Sequence, residues 1–203
     1  MPDTRLILAS ASPSRRQLLA NAGLAFDVEP SGIDEEEMKR SLLAERASPQ
    51  EIAEKLAELK ALRVSGRHGS AMVVGGDSTL ACNGRLFDKP PTLEAARKQL
   101  LALRGQTHEL FSSVVVARSG VRLWHWNERA RLTMRPFNEP FLDAYLARAG
   151  DTVLTSVGAY RLEGLGAHLF SRVDGDYFTI LGLPLLPLLS FLQGHGIGLE
   201  QAA

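Results

Sequence analysis

The fold of this chain is decided by residues 6–16, LILASASPSRR. The apolar run within Arg5–Ala9 predicts a short buried strand. Ser12 can cap a helix, and Pro13 suits its first turn because that position needs no backbone N–H donor. Gly23 is the expected end of this helix. The chain therefore opens with a strand that leads directly into a capped helix.

The same alternation of strand and helix continues through the sequence. Ser48 and Glu51 form a capping-box pattern that begins a helix, and Gly66 is expected to end it. Asn83-Gly84 predicts a hairpin, and residues 153–182 are expected to form short strands separated by glycines. Further strands are predicted at 26–30, 71–76, 107–118 and 121–135, and further helices at 92–103, 139–149 and 183–192. This order predicts an α/β fold with a mixed sheet.

Composition limits the classes of partner. The 203 residues suit one large domain or two closely packed lobes, and 23 basic residues balance 23 acidic ones. A chain without net charge, and with 6 % aromatic residues, has no general attraction to nucleic acid or anionic lipid. Any anion site must therefore be a local cluster of cations.

The single cysteine and the hydropathy pattern indicate where the protein works. Cys82 alone cannot form an intrachain disulfide or a thiolate metal cluster. The N-terminus shows no signal-peptide pattern, and no apolar stretch reaches the roughly 18 residues that span a bilayer. We expect a soluble protein of a reducing compartment, the cytoplasm, without membrane binding.

The first candidate site lies where the opening strand meets its helix. A helix N-terminus directs free N–H groups and positive potential at an anion. Within residues 10–16, two serine hydroxyls and one or both of Arg15 and Arg16 add donors that suit phosphate oxygens. This arrangement is typical of a phosphate-binding site. An ordinary capped helix with solvated arginines is the alternative interpretation.

The second candidate is Gly75-Gly76-Asp77-Ser78, which we expect at the end of an apolar strand. Ligands of open α/β sheets gather at such ends, and glycines there permit either the close approach of a ligand or a tight turn. Asp77 could bind Mg²⁺ or accept a proton from water. It could also merely cap a turn.

Residues 31–38 are expected to form an acidic loop that contains Asp34, Glu35, Glu36 and Glu37. Carboxylates suit a Mg²⁺ or Mn²⁺ that bridges phosphate oxygens, although most acidic runs are simply solvated surface. At most one of these side chains is expected to face a site.

Two lysines are candidate ligands for phosphate. Lys60 borders the apolar stripe of its predicted helix, so that its ammonium could reach solvent or point into a site. Lys89 precedes Pro90 in a rigid turn that could present a fixed cation or lie on the surface. The sequence shows no covalent nucleophile pattern and no Walker loop, and the set fits metal-assisted attack of water on phosphorus.

These segments together resemble the Maf family of nucleoside triphosphate pyrophosphatases. The matches follow the family's order from residue 6 to about residue 192, so they cover nearly the whole chain. They are residues 8–19, 34–35, 60–61, 76–78, 89–90, 158–164, 174–177 and 182–184.

The resemblance implies one Maf-like domain over residues 1–203, with a mixed central sheet, flanking helices and two lobes around a cleft, as in the inosine triphosphatase architecture. It implies a hydrolase acting on acid anhydrides, which cleaves a nucleoside triphosphate to monophosphate and pyrophosphate with Mg²⁺ or Mn²⁺. It also implies a homodimer, removal of non-standard nucleotides and a link to arrest of cell division.

The resemblance further implies roles for individual residues. Asp77 would accept the proton of the attacking water and, with Glu35, lie at the metal. The triphosphate would be held by Ser10, Arg15, Lys60 and Lys89.

Three positions resemble those that set base preference in the family: Ser14, Ser78 and Glu163. The commonest family pattern has Arg, Thr and Gln there and goes with dTTP and UTP. Glu163 instead resembles the branch that acts on 7-methyl-GTP, because a carboxylate accepts from base N–H groups and favours a positively charged methylated guanine. Ser14 lacks the large aromatic side chain of that branch, and Asp88 replaces the usual Gly before Lys-Pro.

Two other functions are compatible with the sequence. One is a nucleotide-binding regulator of septum formation without catalysis. The other is a phosphatase acting on a different phosphoester.

Overall fold

The computed structural model describes residues 5–199 of the chain. The strands in this range are Leu6–Leu8 (β1), Asp27–Val28 (β2), Met72–Cys82 (β3), Arg85–Phe87 (β4), Thr107–Arg118 (β5), Val121–Met134 (β6) and Phe170–Asp174 (β7). The α-helices are Pro13–Asn21 (α1), Glu35–Ala44 (α2), Pro49–Ser65 (α3), Leu93–Leu103 (α4), Glu139–Ala149 (α5), Tyr177–Ile180 (α6) and Leu185–Gln193 (α7). Short 3₁₀ segments occupy Gly150–Thr155, Val157–Ala159 and Leu165–Leu169.

The strands form one mixed sheet in the order β2-β1-β3-β5-β6-β7, with β4 paired to β3. β1 is parallel to both β2 and β3, whereas β4 is antiparallel to β3 and β7 is antiparallel to β6. Parallel strands need a crossover, and helices supply it here. A two-residue hairpin joins β3 to β4, whereas α5 and the 3₁₀ segments lie between β6 and β7. The predicted α/β class with a mixed sheet and flanking helices is confirmed.

The described chain divides into two compact units. Unit 1 contains residues 5–77, 112–128 and 182–199, and unit 2 contains residues 78–111 and 129–181. Three long strands, β3, β5 and β6, each contribute residues to both units.

Unit 1 is built around the opening strand. β1 is buried along its whole length, as the apolar run predicts. Ser12 caps α1 by accepting a hydrogen bond from the backbone N–H of Arg15, and Pro13 occupies the first turn, so this prediction is confirmed. The capping box at the start of α3 is also confirmed, because Ser48 and Glu51 each accept from the other's backbone N–H.

Unit 2 has one large hydrophobic core. Its members include Leu80 of β3, Leu100 of α4, Leu132 of β6, Phe170 of β7 and Tyr160. The Asn83-Gly84 turn between β3 and β4 has positive φ at both residues, which is the conformation of a tight two-residue hairpin.

The expected acidic loop over residues 31–38 is wrong from Glu35 onward, where α2 begins. Asp34 accepts a hydrogen bond from the backbone N–H of Glu37 at 2.9 Å and begins α2 as its cap. Glu35, Glu36 and Glu37 then fill the first turn, where the positive end of the helix dipole stabilises carboxylates. The acidic run is therefore a helix start.

The expected run of short strands over residues 153–182 is also largely wrong. Gly158 and Ala159 have φ values of +79° and +61°, which interrupt any extended ladder. The chain follows 3₁₀ segments there, and Phe170–Asp174 is the one β-strand in this stretch.

The prediction that Asp77 lies at the end of a strand is wrong. β3 continues to Cys82, so Asp77 lies in its middle. The parallel pairing of β1 with β3 nevertheless ends with Leu8 opposite Val74. Asp77 thus lies just beyond the parallel part of the sheet, on the side where Ser10 follows β1.

Among the helices of residues 5–199, none combines the length and the apolar character that crossing a membrane requires.

Candidate active site

Gly75 determines how closely α3 approaches β3. A Cβ at this position would lie 2.2 Å from the carbonyl oxygen of Ala57 and 2.8 Å from the amide nitrogen of Ala61, both backbone atoms of α3. Only hydrogen fits at such a distance. Since alternate residues of a strand share a face, Asp77 lies on the same face of β3 as Gly75, toward α3.

Lys60 of α3 makes a buried ion pair with Asp77. Its Nζ donates to Asp77 Oδ1 at 2.7 Å, and the two residues are only 4 % and 7 % exposed. Lys60 lies on the buried face of α3 beside Ala57 and Ala61, which keeps its ammonium inside the protein. Lys60 therefore does not extend to solvent, and its ammonium lies against the Asp77 carboxylate.

Glu35 reaches the same ammonium from the first turn of α2. Its Oε1 lies 2.9 Å from Lys60 Nζ, and its side chain is about half exposed. Two carboxylates, from Asp77 and Glu35, thus converge on one cation. Asp34 caps the helix, while Glu36 and Glu37 are exposed, so one acidic residue of this run faces the site, as expected.

Arg15 lies close to β3 at Gly76. A Cβ on Gly76 would come within 3.0 Å of Arg15 Nε, so the glycine makes room for the guanidinium. Arg15 Nε donates to the carbonyl oxygen of Gly182 at 2.7 Å, and Nη1 donates to Ser10 Oγ at 3.4 Å. These bonds hold the guanidinium at the N-terminal end of α1.

Burial lowers the pKa of Arg15 below its ordinary value, and the negative charges of Asp77 and Glu35 act in the opposite direction. The cation is therefore desolvated and stabilised by the two carboxylates of the same site. A desolvated guanidinium binds a phosphate more strongly than one already surrounded by water.

Ser10 organises the turn between β1 and α1. Its buried hydroxyl oxygen accepts from the backbone N–H of Ser12 at 3.2 Å as well as from Arg15. Arg16, the next residue along α1, is exposed. Of the two arginines in this motif, Arg15 belongs to the site and Arg16 lies on the surface.

The structure thus brings together five of the predicted site residues within unit 1: Ser10, Arg15, Glu35, Lys60 and Asp77. They come from the β1–α1 turn, α1, α2, α3 and β3. The roles assigned to each of them stay predictions.

The other predicted site residues have definite places in the fold. Ser14 is half buried in the first turn of α1. Ser78 follows Asp77 in β3, and Lys89 is exposed just after β4. Glu163 accepts a hydrogen bond from Arg161 Nε at 2.8 Å. Their contacts with substrate stay predictions.

The donor set suits a divalent cation that is shared with phosphate. No group of three or more His, Cys, Asp or Glu side chains with metal-binding spacing occurs in residues 5–199. Asp77 and Glu35 supply two carboxylates, and Mg²⁺ in phosphate-binding sites is commonly held by one or two carboxylates, with phosphate and water as its other ligands. The residues therefore fit Mg²⁺ or Mn²⁺.

Two features of the site are missing from the sequence interpretation. One is the carbonyl oxygen of Gly182, which orients Arg15 across a separation of 167 residues. Gly182 lies in a segment that resembles the family, but the resemblance gives its carbonyl oxygen no role. The other is the role of Gly75, because the sequence predicts that the glycines of this motif permit a ligand to approach or a tight turn to form. The signal was present, but Gly75 admits α3 and Gly76 admits Arg15.

Comparison with known proteins gives a consistent result. A family model described as Maf-like protein matches residues 5–195. The nucleoside triphosphate pyrophosphatase of Paramagnetospirillum magneticum is 56 % identical over 94 % of this chain and 98 % of its own length. That of Granulibacter bethesdensis is 53 % identical over 94 % and 97 %. The 7-methyl-GTP pyrophosphatase of Brucella abortus is 48 % identical over 93 % and 95 %.

Proposed function

The chain belongs to the Maf-like protein family, and we propose that it hydrolyses a nucleoside triphosphate to the monophosphate and pyrophosphate at the site around Asp77. Relatives with half or more of their residues identical bear the name nucleoside triphosphate pyrophosphatase. The observation that carries the assignment to this site is the buried Asp77 carboxylate, held by Lys60 in a cluster with Arg15 and Glu35.

The cations of the site bind the triphosphate. Arg15 is fixed by Gly182 and Ser10 before substrate arrives, so little ordering of its side chain is needed on binding. The N-terminus of α1 adds positive potential on the same side. Lys60 neutralises the charge that develops on the departing pyrophosphate. Lys89 is proposed as a further phosphate ligand on the basis of the family resemblance.

Asp77 and Glu35 would hold the divalent cation, which when bound withdraws charge from the phosphate oxygens and lowers the pKa of water. The hydrogen bond from Lys60 Nζ fixes the rotation of the Asp77 carboxylate. Asp77 then accepts the proton as the water oxygen forms its bond to the α-phosphorus, and the bond to the bridging oxygen of pyrophosphate breaks.

Base recognition is proposed for Ser14, Ser78 and Glu163. The relatives include proteins named for 7-methyl-GTP as well as those named for nucleoside triphosphates in general. Glu163 is a carboxylate that could accept hydrogen bonds from a guanine, and its partner Arg161 partly neutralises it. A panel of nucleotides that includes UTP, dTTP, GTP and 7-methyl-GTP ranks these possibilities.

Hydrolysis in ¹⁸O-labelled water tests the proposed reaction. With Mg²⁺ or Mn²⁺, attack at the α-phosphorus yields pyrophosphate and places the label in the monophosphate, whereas attack at the β-phosphorus places it in the pyrophosphate. Diphosphate and inorganic phosphate as products would contradict the proposal, and so would an unlabelled monophosphate. Mass spectrometry of the separated products measures all of these outcomes.

The cellular role that we propose is the removal of non-standard nucleotides in the cytoplasm, with a link to arrest of cell division, and it rests on the family resemblance. The same support extends to a homodimer. Overproduction of an Asp77→Asn variant separates catalysis from regulation by binding alone. If the inactive variant still arrested division, the link would not depend on hydrolysis.

A further inference from the structure

The segment that carries Glu163 has a constrained backbone. We call residues 156–166 the Glu163 loop. Gly158 and Ala159 both adopt positive φ, and a Cβ on Gly158 would lie 2.6 Å from Leu80 Cδ1 and 2.8 Å from Tyr160 Cε1. A Cβ on Gly166 would lie 2.4 Å from the carbonyl oxygen of Arg161. The loop therefore closes tightly on itself and has little freedom to move without losing its packing.

Hydrogen bonds from side chains hold the first half of this loop. Tyr145 donates its hydroxyl to the carbonyl oxygen of Ala159 at 3.3 Å, and Ser156 donates to the carbonyl oxygen of Tyr160. His108 Nε2 lies 2.9 Å from the hydroxyl oxygen of Tyr160. Of these three side chains, His108 comes from a sheet strand, β5, and so ties the loop to the sheet.

His108 and Tyr160 meet inside the core of unit 2. His108 is fully buried and Tyr160 is 4 % exposed. Phe170 contacts both rings, with its centroid 4.8 Å from that of Tyr160 and 5.8 Å from that of His108. The aromatic packing leaves the hydrogen bond between His108 and Tyr160 shielded from water.

The chemistry of His108 argues against a purely space-filling role. Burial lowers its pKa to about 4, so the ring is neutral at ordinary pH. Its Nδ1 is buried and has no hydrogen-bond partner within the described residues. An unpaired buried polar atom weakens the fold, and an apolar ring of similar size would avoid that loss. The gain that offsets it is the bond to the Tyr160 hydroxyl.

Tyr160 immediately precedes Arg161, whose guanidinium is paired with Glu163. Fixing Tyr160 therefore fixes the backbone from which this ion pair projects. We propose that His108 is a positioning residue that, through Tyr160, holds the Arg161–Glu163 pair in place for base selection. This inference rests on the proposed function, because it assigns Glu163 to the base rather than to the phosphates.

Removal of either partner of the hydrogen bond between His108 and Tyr160 tests the inference. Tyr160→Phe and His108→Phe each delete the hydrogen bond and keep a ring in the core. Each is expected to change the ratio of kcat/KM for 7-methyl-GTP to that for UTP by about three- to tenfold, as the loss of an ordinary hydrogen bond would. In His108→Gln the amide nitrogen can replace Nε2. The ratio of kcat/KM values in this variant is therefore expected to lie between those of His108→Phe and the wild type.

The matched control is Tyr177→Phe, which removes a tyrosine hydroxyl from a residue that is 48 % exposed. Its ratio of kcat/KM for 7-methyl-GTP to that for UTP is expected to equal the wild-type ratio. Trypsin cleavage after Arg161 gives a readout independent of activity, and it should be faster in Tyr160→Phe than in the control.

An unchanged substrate ratio in Tyr160→Phe would overturn the inference, whatever that variant does to stability. A wild-type protein that hydrolyses no triphosphate would instead remove the proposed function. In that case the trypsin assay would still decide whether the hydrogen bond holds the Glu163 loop. An unchanged cleavage rate in Tyr160→Phe would show that it does not.

Discussion

Replacing Lys60 by methionine is expected to destabilise the protein because Lys60 is the cation shared by two carboxylates. Its Nζ lies 2.7 Å from Asp77 Oδ1 and 2.9 Å from Glu35 Oε1. Removing one member of a buried ion pair costs about 3–5 kcal/mol, since the other charge stays buried. Glu35 is half exposed and Arg15 still faces Asp77, so we expect the lower end, about 3 kcal/mol.

The assay is urea unfolding without metal or nucleotide. The fluorescence of the two tryptophans and circular dichroism monitor the transition. A double-mutant cycle with Asp77→Asn isolates the interaction. The double variant should be more stable than the sum of the single effects predicts, by about 2 kcal/mol. Lys98→Met is the control, because Lys98 pairs with Glu94 on the surface and both side chains are about three-quarters exposed. We expect no measurable change there.

Additive effects of Lys60→Met and Asp77→Asn would refute this reasoning. Effects that add within about 0.5 kcal/mol mean that two residues are energetically independent. Lys60 and Asp77 would then lie 2.7 Å apart without stabilising each other.

Three further predictions follow from the packing and charge of particular residues. Gly75→Ala should lower the free energy of unfolding by about 1–3 kcal/mol and reduce kcat/KM, because its Cβ would lie 2.2 Å from the backbone oxygen of Ala57. Urea unfolding and steady-state kinetics measure these two quantities, and wild-type values for both would contradict the prediction. Between pH 6.5 and about 4 the unfolded state binds a proton at His108 that the folded state excludes, so stability should fall as pH falls through this window, by about 3 kcal/mol at most. Tyr160, the hydrogen-bond partner of that ring, stays protonated throughout, and a His108→Gln variant with the same pH profile as wild type would show that the histidine does not contribute. Glu163→Gln should reduce the ratio of kcat/KM for 7-methyl-GTP to that for UTP by roughly tenfold, because it removes a negatively charged acceptor. Unchanged kcat/KM ratios across the nucleotide panel would show that Glu163 does not select the base.

Local signals explain why much of the fold is predictable from the sequence. Ser12 with Pro13, and Ser48 with Glu51, are capping patterns whose hydrogen bonds form within one helical turn. The same logic applies to Asp34, which caps α2 three residues before Glu37. A run of four acidic residues is also typical of a solvated loop, so its charge pattern alone does not reveal the cap.

The segment around Gly158 shows the opposite case. Glycines at regular intervals resemble the punctuation between short strands, but here they permit positive φ and close contacts inside 3₁₀ turns. Which of these two uses a glycine serves depends on tertiary packing, such as the approach of Leu80 and Tyr160. The sequence pattern does not contain that information.

The candidate site was predictable as a set of residues but not as a set of contacts. Lys60 and Asp77 are separated by 17 residues, and their pairing depends on the close approach of α3 to Gly75. The contact between Arg15 and the carbonyl oxygen of Gly182 spans 167 residues. Such pairings arise only when the sheet and its helices are assembled, so they require the structure.

Pyrophosphate release by Asp77→Asn shows whether the Asp77 carboxylate accepts the proton of the attacking water. The matched control is Asp27→Asn, which makes the same change in the surface ion pair with Arg5. We predict that kcat falls by about 100-fold or more in Asp77→Asn, as expected for the loss of a general base, and stays at the wild-type value in Asp27→Asn. Wild-type turnover by a folded Asp77→Asn protein would contradict the account.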